Sequence, residues 1–309
     1  MKTTNESLTP RDFFARTDVK AKFQEMLGKR ASAFITSVLQ VVASNDLLKE
    51  ADVMTIYNSA AVAATLDLPI NNQLGFAYIA PYKIEIPGTS KIKVVAQFMI
   101  GYKGYIQLSL RSNQFQTISV RPICDGQLIE NNSFDGYYFD WSAKKTDIKI
   151  GYASYFKLLN GFEKILYMSI NELINHGKRY SQTYKSNKGF WVNNPEAAYK
   201  KTVIRLLLSG YAPLSIEMQR ALITDQSVIN NPDPDNLDVT YIDNQVEEKE
   251  DAEVKRRRLL LEDKQNEIEQ CTSLQQLKAI VNIPDELADF WQNKYFQIEQ
   301  TVDNKKPDI

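Results

Sequence analysis

The sequence is poor in the side chains that most catalytic and metal sites are built from. It has one histidine, His176, and two cysteines, Cys124 and Cys271, in 309 residues. A nucleophile triad or a histidine metal site is hard to assemble from one imidazole, so His176 is expected as an exposed residue at a helix end. The cysteines lie far apart and form no Cys-x-x-Cys pair, which argues against structural zinc and against a disulfide framework. They read as small apolar residues, and the cytoplasm is the expected location. No Gly-x-x-x-x-Gly-Lys-Ser/Thr loop is present, so ATP use through a P-loop has no support. No apolar run approaches the ~18 residues of a membrane span, and residues Met1 to Glu6 carry no apolar signal core. Acids are sparse in the middle of the chain, where only Glu85 lies between Asp67 and Asp125. A two-metal nuclease needs clustered carboxylates. No catalytic residue, metal or cofactor is therefore assigned, and a metal-dependent DNA-processing nuclease is kept as an alternative because separated carboxylates can meet in a fold.

What is present is divided by charge. The net charge of -1 hides a basic body, residues 1–224, with 27 Lys+Arg against 18 Asp+Glu, and an acidic remainder with 10 against 20. A basic body fits a polyanion-binding domain, and an acidic tail fits a solvating or partner-binding segment. The plainer alternative is a protein-interaction or structural protein with an ordinary solvated surface.

Hydrophobic spacing organises the body. Residues 1–9 are expected to be disordered. Thr9-Pro10 opens a helical stretch through Phe13, Phe14, Val19, Phe23, Met26 and Leu27, and a second helix carries Phe34 to Val42. An alanine-rich helix spans Asp52 to Leu66, and Pro69 stops it. Strands are expected over 75–83, 92–99, 115–123, 148–157 and 164–169, with turns at Pro87-Gly88, Asp135-Gly136 and Asn160-Gly161. Ser169 and Glu172 form a capping box. Residues 181–190 are polar and basic and read as mobile. Asn194-Pro195 starts a helix that Gly210 is expected to stop. Successive strands joined by turns predict an α+β fold, an antiparallel meander of hairpins packed with helices. Residues 10–224 form its body, 225–246 a linker, 247–300 a small helical C-terminal domain, and 301–309 a disordered end. Leu274, Leu277, Ile280, Val281, Leu287, Phe290, Trp291, Tyr295, Phe296 and Ile298 can supply that small domain's core. The Arg256-Arg257-Arg258 cluster sits among acids and reads as a solvated face.

One stretch concentrates binding chemistry. Gly101-Tyr102-Lys103-Gly104-Tyr105-Ile106-Gln107-Leu108-Ser109-Leu110-Arg111 sets a lysine between two tyrosines and two glycines and ends on an arginine. Alternation after Tyr105 suggests a strand, while the preceding apolar run leaves a helix open. Flat rings beside cations and small residues suit a surface that holds a charged polymer of bases. On the helix from Pro195, Lys201 and Arg205 are four apart with Thr202 and Lys200 beside them, a cationic stripe suited to phosphates. Gln97, Asn113, Arg121, Lys185 and Lys188 are weaker candidates.

The Gly101–Arg111 run resembles the signature of the RecT family of phage and prophage single-strand annealing proteins. Residues 57–69, ending Leu66-Asp67-Leu68-Pro69, are similar to that family's small-residue helix and turn, and Ala198-Tyr199-Lys200-Lys201-Thr202-Val203-Ile204-Arg205 to its Ala-x-Lys-Lys-Thr-x-x-Arg helix. The three occur in the family's order and the likeness covers about residues 10–224. It implies an ATP-independent, non-enzymatic annealer of single-stranded DNA that acts in recombination and repair. It also implies a ring or filament of identical subunits, binding of the annealed duplex intermediate, and a C-terminal domain that docks a partner exonuclease or the host single-strand binding protein. Lys103, Arg111, Lys200, Lys201 and Arg205 are then expected at phosphates, with Thr202 and Gln107 beside them and Tyr102 and Tyr105 lining the groove. Joint loss of Lys201 and Arg205 is expected to abolish binding with folding intact.

Overall fold

A computed structural model describes residues 8–86, 89, 91–132, 136–187, 189–242, 260–261, 264–265, 267–271, 273–280, 283–284 and 287–303. The chain forms two compact units, Met1–Gln245 and Val246–Ile309. The Pro87-Gly88 turn, Lys188, most of the helical pattern expected over 247–270 with Arg256 to Arg258, Val281, and the chain ends at 1–7 and 304–309 lie outside the described residues.

The first unit begins with helices. Thr9 caps α1 (Pro10–Ala15) by accepting the Asp12 amide. Helices α2 (Thr17–Leu27) and α3 (Ala31–Ala43) bury Val19, Phe23, Leu27, Ile35 and Val38 at helical spacing. Asn45 then caps a short α4 (Asp46–Lys49). In α5 (Val53–Thr65), Ser59 to Ala64 are all buried. Their small side chains let the helix lie close on the next hairpin, where the Thr55 hydroxyl accepts the Ala96 amide at 2.8 Å. That hairpin pairs β1 (Ala77–Glu85) with β2 (Ile92–Ile100), from Ala77 opposite Ile100 to Glu85 opposite Ile92.

The glycine-tyrosine stretch is helical. Gly101 caps α6 (Tyr102–Arg111), which buries Gly104, Tyr105, Leu108 and Ser109. The apparent alternation of Ile106, Leu108 and Leu110 is not a strand pattern here, because Leu110 is 47% exposed. The glycines answer to packing. A β-carbon on Gly101 would lie 2.1 Å from the Gly75 carbonyl oxygen, and one on Gly104 2.3 Å from that of Phe76.

The remaining strands form separate ladders instead of one meander. Strands β3 (Phe115–Cys124), β6 (Lys149–Leu158) and β7 (Glu163–Ser169) make an antiparallel sheet in the order β3-β6-β7. Between β3 and β6 the chain inserts its own ladder, β4 (Leu128–Asn132) with β5 (Gly136–Phe139). The class is α+β, as expected. The Ser169–Glu172 capping box starts α7 (Ile170–Tyr180). Residues 182–185 and 190–193 form short helices, α8 (Gln182–Lys185) and α9 (Phe190–Asn193), and Ser181 is buried, so part of the stretch read as mobile is packed. Helix α10 (Pro195–Tyr211) runs through Gly210. It lies on the inner face of the sheet, where Ser154 on β6 donates to the Val203 carbonyl at 3.0 Å.

Helix α11 (Ile216–Thr224) leads into residues expected to be a linker. Residues 225–242 are part of the body. Gln226 donates its amide to Phe98 and Phe98 donates to Ser227, so the chain pairs with β2. Strands β8 (Val228–Asn231) and β9 (Asp238–Thr240) then form a hairpin around Pro232-Asp233-Pro234-Asp235. The proline-aspartate run is a turn between paired strands.

In the second unit, α12 (Leu274–Ala279), capped by Ser273, and α13 (Ala288–Asp303) enclose Ile268, Cys271, Leu277, Leu287 and Ile298. The Trp291 indole donates to the Leu277 carbonyl at 3.2 Å. Phe296, expected in this core, is 52% exposed.

The glycine contacts give a test. Gly104→Ala is expected to destabilise the protein by about 1–3 kcal/mol through overpacking against the Phe76 backbone. Urea unfolding should show a lower midpoint at unchanged slope; an unchanged midpoint would show that the helix can shift freely.

Candidate nucleic-acid interface

The site is organised around a carboxylate that sequence reasoning did not single out. Asp225 follows α11 and is 0% exposed. Its Oδ1 accepts from the Lys201 ammonium at 2.8 Å and from the Ile100 amide at 2.8 Å. Its Oδ2 accepts from the Tyr105 hydroxyl at 2.8 Å, and Arg205 Nε lies 3.6 Å from that oxygen. One buried charge thus joins the end of β2, α6, α10 and the end of α11. Burial, and then the Asp225 charge, push the Tyr105 hydroxyl well above its usual range, so it remains a donor.

This arrangement corrects several assignments. Lys201 is only 5% exposed, and its ammonium neutralises Asp225. It does not face a strand of DNA in this conformation. Tyr105 is 0% exposed and cannot line a groove. The Thr202 hydroxyl is buried and donates to the Ala198 carbonyl of its own helix. Gln97 is buried and its amide bonds the Gln226 carbonyl. Helix α10 is therefore a core helix along most of its length. Of the Ala-x-Lys-Lys-Thr-x-x-Arg pattern, Tyr199, Lys200 and Arg205 are half-buried and the rest is buried.

The exposed chemistry lies on α6. Lys103, Gln107 and Arg111 are four residues apart in succession, so they share one face over about 12 Å of helix. Lys103 is exposed and carries no ion pair among the described residues; its methylenes run beside Gly75. Lys200 crosses from α10 to sit 5.6 Å from the centre of the Tyr102 ring, with Glu196 at 3.7 Å. At the other end, Arg111 donates to the Leu66 and Asp67 carbonyls at 2.7 and 2.6 Å. It closes the C-terminal end of α5 as a cationic cap. Arg30 pairs with the Asp67 carboxylate at 2.6 Å. Arg30, Asp67, Gln107 and Arg111 border a recess of about 440 Å³. The structure thus groups Tyr102, Lys103 and Lys200 at one end of α6, and Gln107, Arg111 and Arg30 at the other.

His176 is not an exposed end residue. It sits in α7 with its ring 4.6 Å from Tyr180 and 6.2 Å from Trp191. Among the described residues no three His, Cys, Asp or Glu side chains converge as a metal site would require. Within the same residues no helix is long and apolar enough to cross a membrane.

The fold and this surface define an α+β protein that turns a basic, aromatic-flanked helical face outward over a buried ion-pair cluster. The model of the RecT family matches residues 32–250. The chain belongs to the RecT family. It is 38% identical over 250 residues to the uncharacterized protein YqaK of Bacillus subtilis (strain 168), covering 76% of this chain and 83% of that one. It is 28% identical over 216 residues to Protein RecT of Escherichia coli (strain K12), covering 68% and 76%. Membership gives it a general role in DNA recombination and strand annealing.

Two outcomes test the site. Lys201→Ala leaves the Asp225 charge buried without its ammonium, and is expected to cost about 3–5 kcal/mol. The Lys201→Ala/Arg205→Ala variant is thus expected to lose folding stability, against the expectation of an intact fold; an unchanged denaturation curve would show the pair to be unimportant. For His176, burial and then the charges of Arg205 and Arg179 lower the pKa from 6.5 to about 4. The folded form binds fewer protons than the unfolded between those values, so this group's contribution to stability falls as pH drops from 6.5 to about 4. An NMR titration of the single imidazole should show the depressed midpoint, and one near 6.5 would contradict it.

Proposed function

We propose that this protein anneals complementary single strands of DNA without ATP, holding one strand by its phosphates along the exposed face of α6. The observation that supports this most is the Lys103–Gln107–Arg111 face with Lys200 beside it. Annealing requires that two polyanions approach each other, so phosphate charge must be neutralised. It also requires base edges that no side chain claims, because pairing itself reads the sequence. Cations spaced along a rigid helix meet the first condition, and a surface of two lysines, one arginine and one glutamine leaves the second open. Arg205 adds positive potential behind this face, because one carboxylate stands against two cations in the buried cluster. Assembly of several copies on a strand would extend the basic face into a continuous track, and the C-terminal unit would then be free to engage a partner nuclease or single-strand binding protein.

The test is the annealing of two complementary oligonucleotides without nucleotide cofactor, comparing wild type with Lys103→Ala/Lys200→Ala. The double variant is expected to fold normally and to bind single strands more weakly, whatever their sequence. Its log–log salt slope should fall by about 0.7 per lysine, and annealing should slow in step. Wild-type affinity and slope in the variant would remove α6 from the binding surface.

A further inference from the structure

The outer face of the three-stranded sheet carries binding chemistry that the α6 surface does not use. Side chains alternate along a strand. Because Ser154 points inward to α10, its neighbours Ala153 and Tyr155 face outward. On β3 their partners across the ladder, Arg121 and Ser119, share that face, with Thr117 next in line. The β4–β5 hairpin covers one end of the face, where Leu128, Tyr137 and Phe139 pack on Ile123, Ala153 and Tyr167. The rest is open, a recess of about 470 Å³ bordered by Arg121, Trp141 and Tyr155.

The contents of the recess point to one kind of occupant. Trp141 is 53% exposed and stands with its ring 6.1 Å from Phe139. Arg121 lies 5.9 Å from the centre of the indole and has no ion pair among the described residues. Within the same residues, the Thr117 and Ser119 hydroxyls have no hydrogen-bond partner. The carboxylate at the rim, Glu163, is engaged by the Tyr155 hydroxyl and lies 3.7 Å from the Lys157 ammonium. The recess therefore offers a flat apolar surface, an unpaired cation and two hydroxyls, with the Glu163 charge offset by Lys157. Those features complement a flat ring carrying a negative group.

We propose that this recess binds an unpaired nucleotide of single-stranded DNA, the base against Trp141 and the phosphate at Arg121, Thr117 and Ser119. It rests on the reading that single-stranded DNA is the bound polymer, and adds a second contact on the face of the sheet opposite α10. A paired base hides both of its faces within the stack, so the recess selects single strands over duplex. The α6 face, which meets phosphates, does not make that distinction.

The experiment titrates full-length protein with labelled oligothymidylate and with a duplex of equal length, following anisotropy and tryptophan emission together. Oligothymidylate is expected to quench wild-type emission, and the quenched component should be missing in Trp141→Phe. Trp141→Ala should bind oligothymidylate roughly tenfold more weakly with duplex affinity unchanged, and Arg121→Ala should lower the salt slope by about 0.7. Saturated anisotropy with unquenched emission and wild-type affinity in Trp141→Ala would overturn the recess and leave the α6 reading standing. An equal loss for single strand and duplex would mark a structural effect and overturn it as well. Failure of wild type to bind either oligonucleotide would overturn both.

Discussion

The fold of the first unit depends on how a single carboxylate is satisfied. Asp225 is fully buried, and such a charge is tolerable only with a counterion and with hydrogen bonds to its remaining lone pairs. The chain supplies Lys201, the Tyr105 hydroxyl and the Ile100 amide, with Arg205 nearby. These donors come from α10, α6 and β2, so meeting the needs of one group sets the position of three elements. The desolvation cost of the cluster makes it a poor source of net stability. Its effect is to specify one arrangement, since any register in which a donor is missing leaves an unpaired charge.

That arrangement decides what the surface can do. With Tyr105 and Gly104 turned inward, the Lys103–Gln107–Arg111 side of α6 must turn out. The cations of α10 are shared between the interior and the rim: Lys201 holds the carboxylate and Lys200 reaches Tyr102. A lysine pair that looks like one binding motif thus contains a structural member and a surface member. Arg111 has a double position as well, capping α5 through two carbonyls while remaining partly exposed.

Much of the fold was legible locally. Thr9-Pro10, the Ser169–Glu172 box and Asn194-Pro195 announce helix starts through chemistry within a few residues, and the strands around Asn160-Gly161 follow from alternation. What was not legible depends on distant contacts. Lys201 and Arg205 have the spacing of an exposed stripe, and nothing within one turn of them reveals that their partner is Asp225, 24 residues from Lys201. Asp225 precedes a run of Asn, Asp and Pro, the composition of a linker, and is instead the C-terminal cap residue of an apolar helix. The apolar stretch Ala221-Leu222-Ile223 just before it was the available hint. The α6 segment reads equally well by either period, and contact of its glycines with the backbone at Gly75 and Phe76 decides the matter.

Lysine reactivity measures the central claim most directly. Amine acetylation of the folded protein, read by mass spectrometry with and without saturating single-stranded DNA, compares Lys103, Lys200 and Lys201 in one sample. Lys103 and Lys200 should react in free protein and be protected by DNA, while Lys201 should stay unreactive in both because Asp225 holds its ammonium in the interior. A Lys201 that reacts readily when free and is shielded by DNA would contradict the account, since it would place the ion pair at the surface and return that lysine to the phosphates.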